Sequence, residues 1–276
     1  MDRIRLIASD MDATLLDEQS QLPADFEETI HALAELGIRF APASGRPLYT
    51  LEAMFPTLQD ELVFIGDNGG AIRWKGQNLF TSEMSPEGWR ALNRLTREQG
   101  DIAVLCGLES AYVERPFAIH DAVLRHFYTK IEYVDRLEDV TAPADKFTIY
   151  LPQHNAQQAY DTVYASQRSI YSVAVAGECW VDIMNPGVHK GAALQTLGQL
   201  WGLPSESIMA FGDTYNDAEM LQTVRYGFLM ENGSVPLRRN VPFLAPSNRE
   251  AGVMQVLHRV LAQNGCVCPE DFIPAH

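Results

Sequence analysis

Short apolar runs that stop at a carboxylate or a small polar residue recur along this chain, with helical segments between them. The first extends from Arg3 to Ser9 and stops at Asp10. Nearly continuous runs of this kind fit strands buried on both faces, as in a parallel sheet covered by helices. After Pro23, the residues Phe26, Ile30, Leu33 and Ala34 have helical spacing, and Gly37 supplies the stop. A strand at Ile38 to Ala41, a helix over 47–55 and a strand over 62–65 follow. This alternation predicts an α/β protein with a doubly wound, Rossmann-like parallel sheet.

The second half repeats the pattern. Lys190 to Leu200 places Leu194, Leu197 and Leu200 on one side of a helix that Gly202 ends. Ser207 to Phe211 and Tyr226 to Met230 read as strands, and Val253, Val256, Leu257, Val260 and Leu261 mark a final amphipathic helix. Between about 83 and 185 the rhythm changes. Pro86 opens a helix through Gln99, and strand-like pieces crowd together at 103–106, 111–114, 131–134, 146–151, 170–176 and 179–184. Helices fall near 119–127 and 155–167. The expected organisation is a discontinuous core, 1–82 and 186–276, with an α+β domain at 83–185 inserted into it, its sheet largely antiparallel.

Charge narrows the function classes. The 276 residues carry 21 Lys and Arg against 36 Asp and Glu, a net charge of −15, without any basic run. Nucleic acid and anionic membrane surfaces require clustered Lys and Arg, so neither is an expected partner. The acidity is spread, −6 on the insertion and −9 on the remainder. No stretch approaches ~18 apolar residues, and the start has neither the core nor the cleavage pattern of a signal peptide. The four cysteines, Cys106, Cys179, Cys266 and Cys268, do not make a disulfide framework. Free thiols and a cytoplasmic location are expected.

Four segments carry candidate chemistry, and each sits where a strand ends or a helix begins. In Asp10-Met11-Asp12-Ala13-Thr14 two carboxylates alternate just past a buried strand. That placement is costly unless they meet a metal or hydrogen-bond donors, although an Asx-type turn also favours Asp there. Ser44-Gly45-Arg46-Pro47 offers a hydroxyl and backbone N–H groups at a helix start, an anion site or an ordinary N-cap. Lys190 would open a helix, next to the positive end of the dipole. Such a Lys faces either an anion or solvent. Gly212-Asp213-Thr214-Tyr215-Asn216-Asp217 reads as a hard-cation site, or as a helix start with Asp213 as its N-cap.

Taken together, the segments come in the order carboxylate pair, Ser, Lys, carboxylate pair, and open α/β sheets collect ligands at the carboxyl ends of their strands. In this order the chain resembles the haloacid dehalogenase-like superfamily, and within it the Cof-type phosphatases with a large α/β cap. The resemblance also covers Phe64-Ile65-Gly66-Asp67-Asn68-Gly69-Gly70, Tyr226 to Asn232 and Pro246 to Val253. Ala13 departs from it, standing where the family usually has Gly. An alanine there is strained only where the turn needs φ above zero.

The resemblance implies a Mg²⁺-dependent phosphatase acting on small, sugar-phosphate-like metabolites through an aspartyl phosphate. It casts Asp10 as nucleophile and Asp12 as acid and then base. Thr14, Ser44, Gly45, Lys190 and Asn216 would hold the loop and the phosphoryl oxygens. Asp10, the Asp12 carbonyl, Asp213 and Asp217 would hold the metal, directly or through water. Arg46 is a candidate substrate contact, or half of a structural ion pair. Glu114, Arg115, His120 and Trp180 are cap residues with a possible place over the site, or else surface charge and packing. A phosphotransferase or mutase on sugar phosphates, and a non-catalytic metabolite-binding protein, are the alternatives.

Overall fold

In the structure, a computed structural model covering residues 1–276, two sheets account for most of the order. The larger has nine strands. Its centre is Leu6–Asp10, flanked by Arg39–Ala43 on one side and Ile208–Gly212 on the other, all parallel. Val63–Gly66 extends the first side, and Tyr226–Met230 and Phe243–Ala245 extend the second, also in parallel. All five residues of Leu6–Asp10 are buried. Leu6 and Ala8 pack with Leu194, Leu197 and Leu221 on one face, from the helices Lys190–Trp201 and Ala218–Thr223. Ile7 packs with Ile30, Leu33 and Leu257 on the other, from Phe26–Glu35 and Gly252–Ala262. Burial on both faces is why these strands are apolar without alternation.

The sheet is not parallel throughout. Ala71–Trp74 and Gln77–Thr81 add an antiparallel hairpin after Val63–Gly66, joined by Lys75 and Gly76 with φ of 51° and 71°. Two left-handed residues are what a tight hairpin turn requires, and Lys-Gly marks that turn in the sequence. Ile273–Pro274 forms the opposite edge, also antiparallel.

The smaller sheet has six strands, all within the 83–185 stretch expected as an insertion. Its strands occupy the six expected places, from Ile102–Gly107 to Trp180–Met184, and pair antiparallel except Ala111–Glu114 with Ile131–Val134. The helix expected over 155–167 is broken. It comprises Ala156–Asp161 and a separate 3₁₀ turn at Ala165–Ser169, with Thr162 between them at φ −118°, ψ −80°. The Thr162 hydroxyl donates to the Gln158 carbonyl, the back-bonding by which Thr competes with helix propagation.

Period-two alternation divides the two faces of the smaller sheet. Phe147, Ile149, Val181 and Ile183 pack with the insertion's own helices. Lys146, Thr148 and Asp182 lie on the other face, towards the larger sheet. Apolar contact continues there through Tyr49, which packs among Val104, Cys106, Tyr128 and Trp180. All four cysteines are free thiols. No helix is long and apolar enough to cross a membrane.

Candidate active site

The carboxyl ends of the central strands bring the four segments to one place. Leu6–Asp10 delivers Asp10, and the chain then turns through Met11–Leu15. Ala13 sits in the left-handed region of that turn, at φ 59°, so the strain foreseen for this substitution is present. Asn232 and Asn248 fasten the turn, donating to the carbonyls of Ala13 and Leu16. These two asparagines lie in the late segments that carry the family resemblance.

Lys190 opens its helix fully buried. Its Nζ lies 2.5 Å from Asp10 Oδ1 and 2.7 Å from Asp217 Oδ1. Those carboxylates offset the helix dipole, and no solvent is needed to hold the charge. His189 caps this helix, its Nδ1 accepting the Ala192 N–H.

Asp213 is not an N-cap. Thr214 takes that role in a capping box closed by Asp217, whose Oδ2 accepts the Asp213 and Thr214 N–H groups at 3.0 and 3.2 Å. Gly212 makes this possible, because a Cβ there would collide with the Asp217 side chain. The Asp213 carboxylate is thereby left facing the cavity, and Thr14 Oγ1 donates to it at 3.4 Å.

Carboxylate oxygens of Asp10, Asp213 and Asp217 all lie within 4.8 Å of one another. One lysine against three such groups leaves an excess of negative charge. Burial, then Asp217 and Asp213, push the Asp10 carboxyl well above the usual range, although Lys190 pulls the other way. Burial and Asp217 raise Asp213 to about 6. Burial opposes the charge on Lys190, yet Asp10 and Asp217 outweigh it and raise its pKa. Three convergent oxygen donors with surplus charge are a donor set that fits a hard divalent cation.

Ser44 is not a helix cap either. The helix Leu48–Ala53 begins after Pro47 without a side-chain cap, and the Ser44 hydroxyl accepts the Arg46 N–H at 3.1 Å. Ser44 and Gly45 line the cavity beside Asp10. Arg46 reaches across and grips Asp12 with two nitrogens, at 3.0 to 3.4 Å. Its guanidinium also lies 5.9 Å from the Phe127 ring of the insertion. Asn216 faces the cavity, its Oδ1 buried without a partner.

The cavity between the two sheets measures about 690 Å³. Of the four cap candidates only Trp180 lines it. Glu114 and Arg115 pair with Arg97 and Asp135, and His120 packs edge-on against Tyr150. The sequence reading missed Asn68, Lys146, Thr148 and Asp182, which line the same cavity. A signal was there: charges inside two otherwise largely apolar strands, Asp145 and Lys146 in Ala144–Tyr150 and Asp182 in Trp180–Met184.

A family model described as haloacid dehalogenase-like hydrolase matches residues 7–257. The 5-amino-6-(5-phospho-D-ribitylamino)uracil phosphatase YbjI of Escherichia coli (strain K12) is 32% identical over 94% of this chain and 96% of its own length. The HMP-PP phosphatase of Cronobacter sakazakii is 31% identical over 87% of this chain and 89% of its own. Among solved structures, SMU.1108c from Streptococcus mutans superposes with a TM-score of 0.85 at 28% identity, covering 94% of this chain and 99% of its own. A HAD/COF-like hydrolase from Plasmodium vivax superposes equally well at 18% identity, over 95% of this chain and 97% of its own. The chain belongs to the haloacid dehalogenase-like hydrolases, as a Cof-type enzyme of the phosphoric monoester hydrolase class.

Proposed function

We propose that this protein hydrolyses small phosphorylated metabolites, sugar-phosphate-like in size, with Mg²⁺ as its cofactor. The observation that carries the reading is the convergence of Asp10, Asp213 and Asp217 around Lys190 at the floor of a cavity that Ser44 and Gly45 also line. The division expected from the sequence goes with it: 1–82 and 186–276 form the core, and 83–185 forms a cap that closes over the reacting phosphate. The two relatives act, by name, on small phosphorylated or pyrophosphorylated compounds, and the cavity has room for a leaving group of that size.

In the proposed reaction, Asp10 Oδ forms a bond to phosphorus as the bond to the leaving oxygen breaks. Asp12 donates its proton to that oxygen. Asp12 then takes a proton from water, whose oxygen attacks the phosphorus of the aspartyl phosphate and releases inorganic phosphate and Asp10. Splitting the hydrolysis into two displacements makes each easier. Lys190, the Ser44 hydroxyl and the Gly45 N–H hold the phosphoryl oxygens, with Asn216 beside them and Thr14 bracing the loop. Arg46 leaves Asp12 to meet the substrate. Asp10, the Asp12 carbonyl and Asp213 would hold Mg²⁺, with Asp217 behind them. When bound, the ion offsets the repulsion between the Asp10 carboxylate and the phosphate dianion.

A panel of phosphorylated metabolites, assayed for phosphate release with and without Mg²⁺ beside Asp10→Asn, tests the reading. Turnover that needs Mg²⁺ and Asp10 supports it. Full activity in Asp10→Asn, or indifference to a chelator, sinks it.

A further inference from the structure

The turn that lines the cavity beside Asp10 is held through all three of its carbonyls. The Ser44 carbonyl accepts the Asn68 N–H at 2.9 Å, and the Arg46 carbonyl accepts the Asp67 N–H at 3.0 Å. Both donors belong to the larger sheet's own next loop. The third carbonyl, of Gly45, accepts Lys146 Nζ at 2.5 Å, and Lys146 belongs to the smaller sheet. Lys146 is 2% exposed. It is also ion-paired with Asp67 at 3.0 Å and Asp182 at 3.7 Å. Asp182 is fixed in turn, accepting Asn68 Nδ2 at 3.0 Å and Thr148 Oγ1 at 2.7 Å.

In a planar trans peptide the carbonyl and the N–H of the same unit point opposite ways, so an anchored Gly45 carbonyl fixes the Arg46 N–H. The Gly45 N–H donates to no group of the protein, and the Arg46 N–H is spent on Ser44 Oγ, which leaves the Ser44 hydroxyl proton free to donate. We infer that Lys146 is a positioning residue for the reaction: by holding the Gly45 carbonyl it fixes the Arg46 N–H of the same peptide, and through that N–H it aims the Ser44 hydroxyl at the phosphoryl group, and it does so only while the smaller sheet is docked. The anion-holding turn is thus completed by a residue 101 positions away in the chain, on the other side of the cavity. This inference rests on the proposed role of Ser44. It adds that cap docking and phosphate binding are one event.

The test is a double-mutant cycle between Lys146 and Ser44, read on p-nitrophenyl phosphate with Mg²⁺. Lys146→Arg keeps the charge that Asp67 and Asp182 need, but its planar fork does not reproduce the single Nζ donor at the Gly45 carbonyl. It is expected to lower kcat/KM about 10- to 100-fold, the scale of a small misplacement at a reacting centre. It is also expected to weaken inhibition by inorganic phosphate. On a Ser44→Ala background the same change is expected to cost under about threefold, because the group it aims is gone. Lys146→Met is the sharper variant, and Lys146→Arg is read alone where Met at this buried site prevents folding. Multiplying effects of Lys146 and Ser44, or wild-type kinetics in Lys146→Arg, overturn the inference. An active Asp10→Asn overturns the reading beneath it, so the two failures are distinct.

Discussion

Two buried lysines organise this molecule, and they are balanced differently. Lys146 meets Asp67 and Asp182, and the remaining valences of Asp182 are filled by Asn68 and Thr148. Asp145 lies beside them fully buried, and burial and Asp67 push its carboxyl well above the usual range. Lys190 instead faces three carboxylates, and only two of them touch it. The first cluster joins two sheets, although Asn68 Oδ1 and both Asp145 oxygens stay buried without hydrogen-bond partners. The second brings three carboxylates together at the cavity, a donor set that fits a cation. Burial of ionisable groups does not by itself mark a site. Carboxylate oxygens converging on one point are the better sign.

Four experiments bear on that contrast. The largest expected effect is on turnover. Asp10→Asn is expected to lower kcat by about 10⁴-fold or more, as loss of a nucleophile does. Its thermal midpoint should rise in the absence of metal, because one of three crowded carboxylates is gone. A lower midpoint would mean that Asp10 stabilises the fold.

Next, Lys190→Met and Lys146→Met are each expected to cost about 3–5 kcal/mol in denaturant unfolding at neutral pH, the usual cost of stranding a buried partner. The contrast predicts different rescue. Mg²⁺ at about a hundredfold over its Kd should return about 2.7 kcal/mol to the Lys190 variant. The Lys146 variant keeps Lys190 and the three carboxylates, so Mg²⁺ should stabilise it only as much as the unaltered protein at the same concentration, less than the Lys190 variant gains. Equal rescue would erase the distinction between the clusters.

A smaller effect concerns pH. The Asp213 carboxyl, raised to about 6, contributes stability that is full below its unfolded value and is lost as pH rises through about 6. The metal-free protein should therefore gain stability between pH 7 and pH 5. Asp213→Asn should flatten that part of the profile and stabilise the metal-free protein by about 1–2 kcal/mol at pH 7. Saturating Mg²⁺ should flatten it too. A midpoint that falls over the same range would reverse the sign assigned here.

The smallest effect compares two left-handed turns. Asp67 and Asn68, at φ 51° and 55°, are polar residues that tolerate this region, and Asn68 holds Asp182. Ala13 has no such compensation. Ala13→Gly is expected to stabilise the protein by about 1 kcal/mol with kcat within about twofold. Unchanged stability in chemical unfolding would show that the surrounding asparagine bonds already absorb the strain.

The two clusters were not equally legible in the sequence. Asp10, Asp213, Asp217 and Lys190 stand at strand ends and helix starts, where local chemistry makes a charge conspicuous. The strands that present them announce themselves by continuous apolarity. Lys146 and Asp182 sit mid-strand, where a charge alternating with apolar residues looks like a solvated face. Only the packing of one sheet against another shows that this face is buried. The hairpin Ala71–Trp74 to Gln77–Thr81 was missed for a related reason: its strands are short, and the second is partly exposed. The Asp213 and Ser44 caps failed because each side chain had two competing uses. The neighbouring Thr214, and the turn at Arg46, resolved the competition.

The central strand Leu6–Asp10 has a consequence for how the protein is made. One of its two neighbours, Ile208–Gly212, begins about 200 residues later, and Asp10 meets Lys190 across 180 positions. At about 5–20 residues per second, the ribosome takes about 10–40 s to supply that partner. The smaller sheet, whose strands all fall between Ile102 and Met184, is available earlier. During synthesis the Asp10 carboxylate waits without its lysine, its second acid or its third. Asp10 is the first part of the proposed site to be translated, and its partners Lys190, Asp213 and Asp217 are among the last.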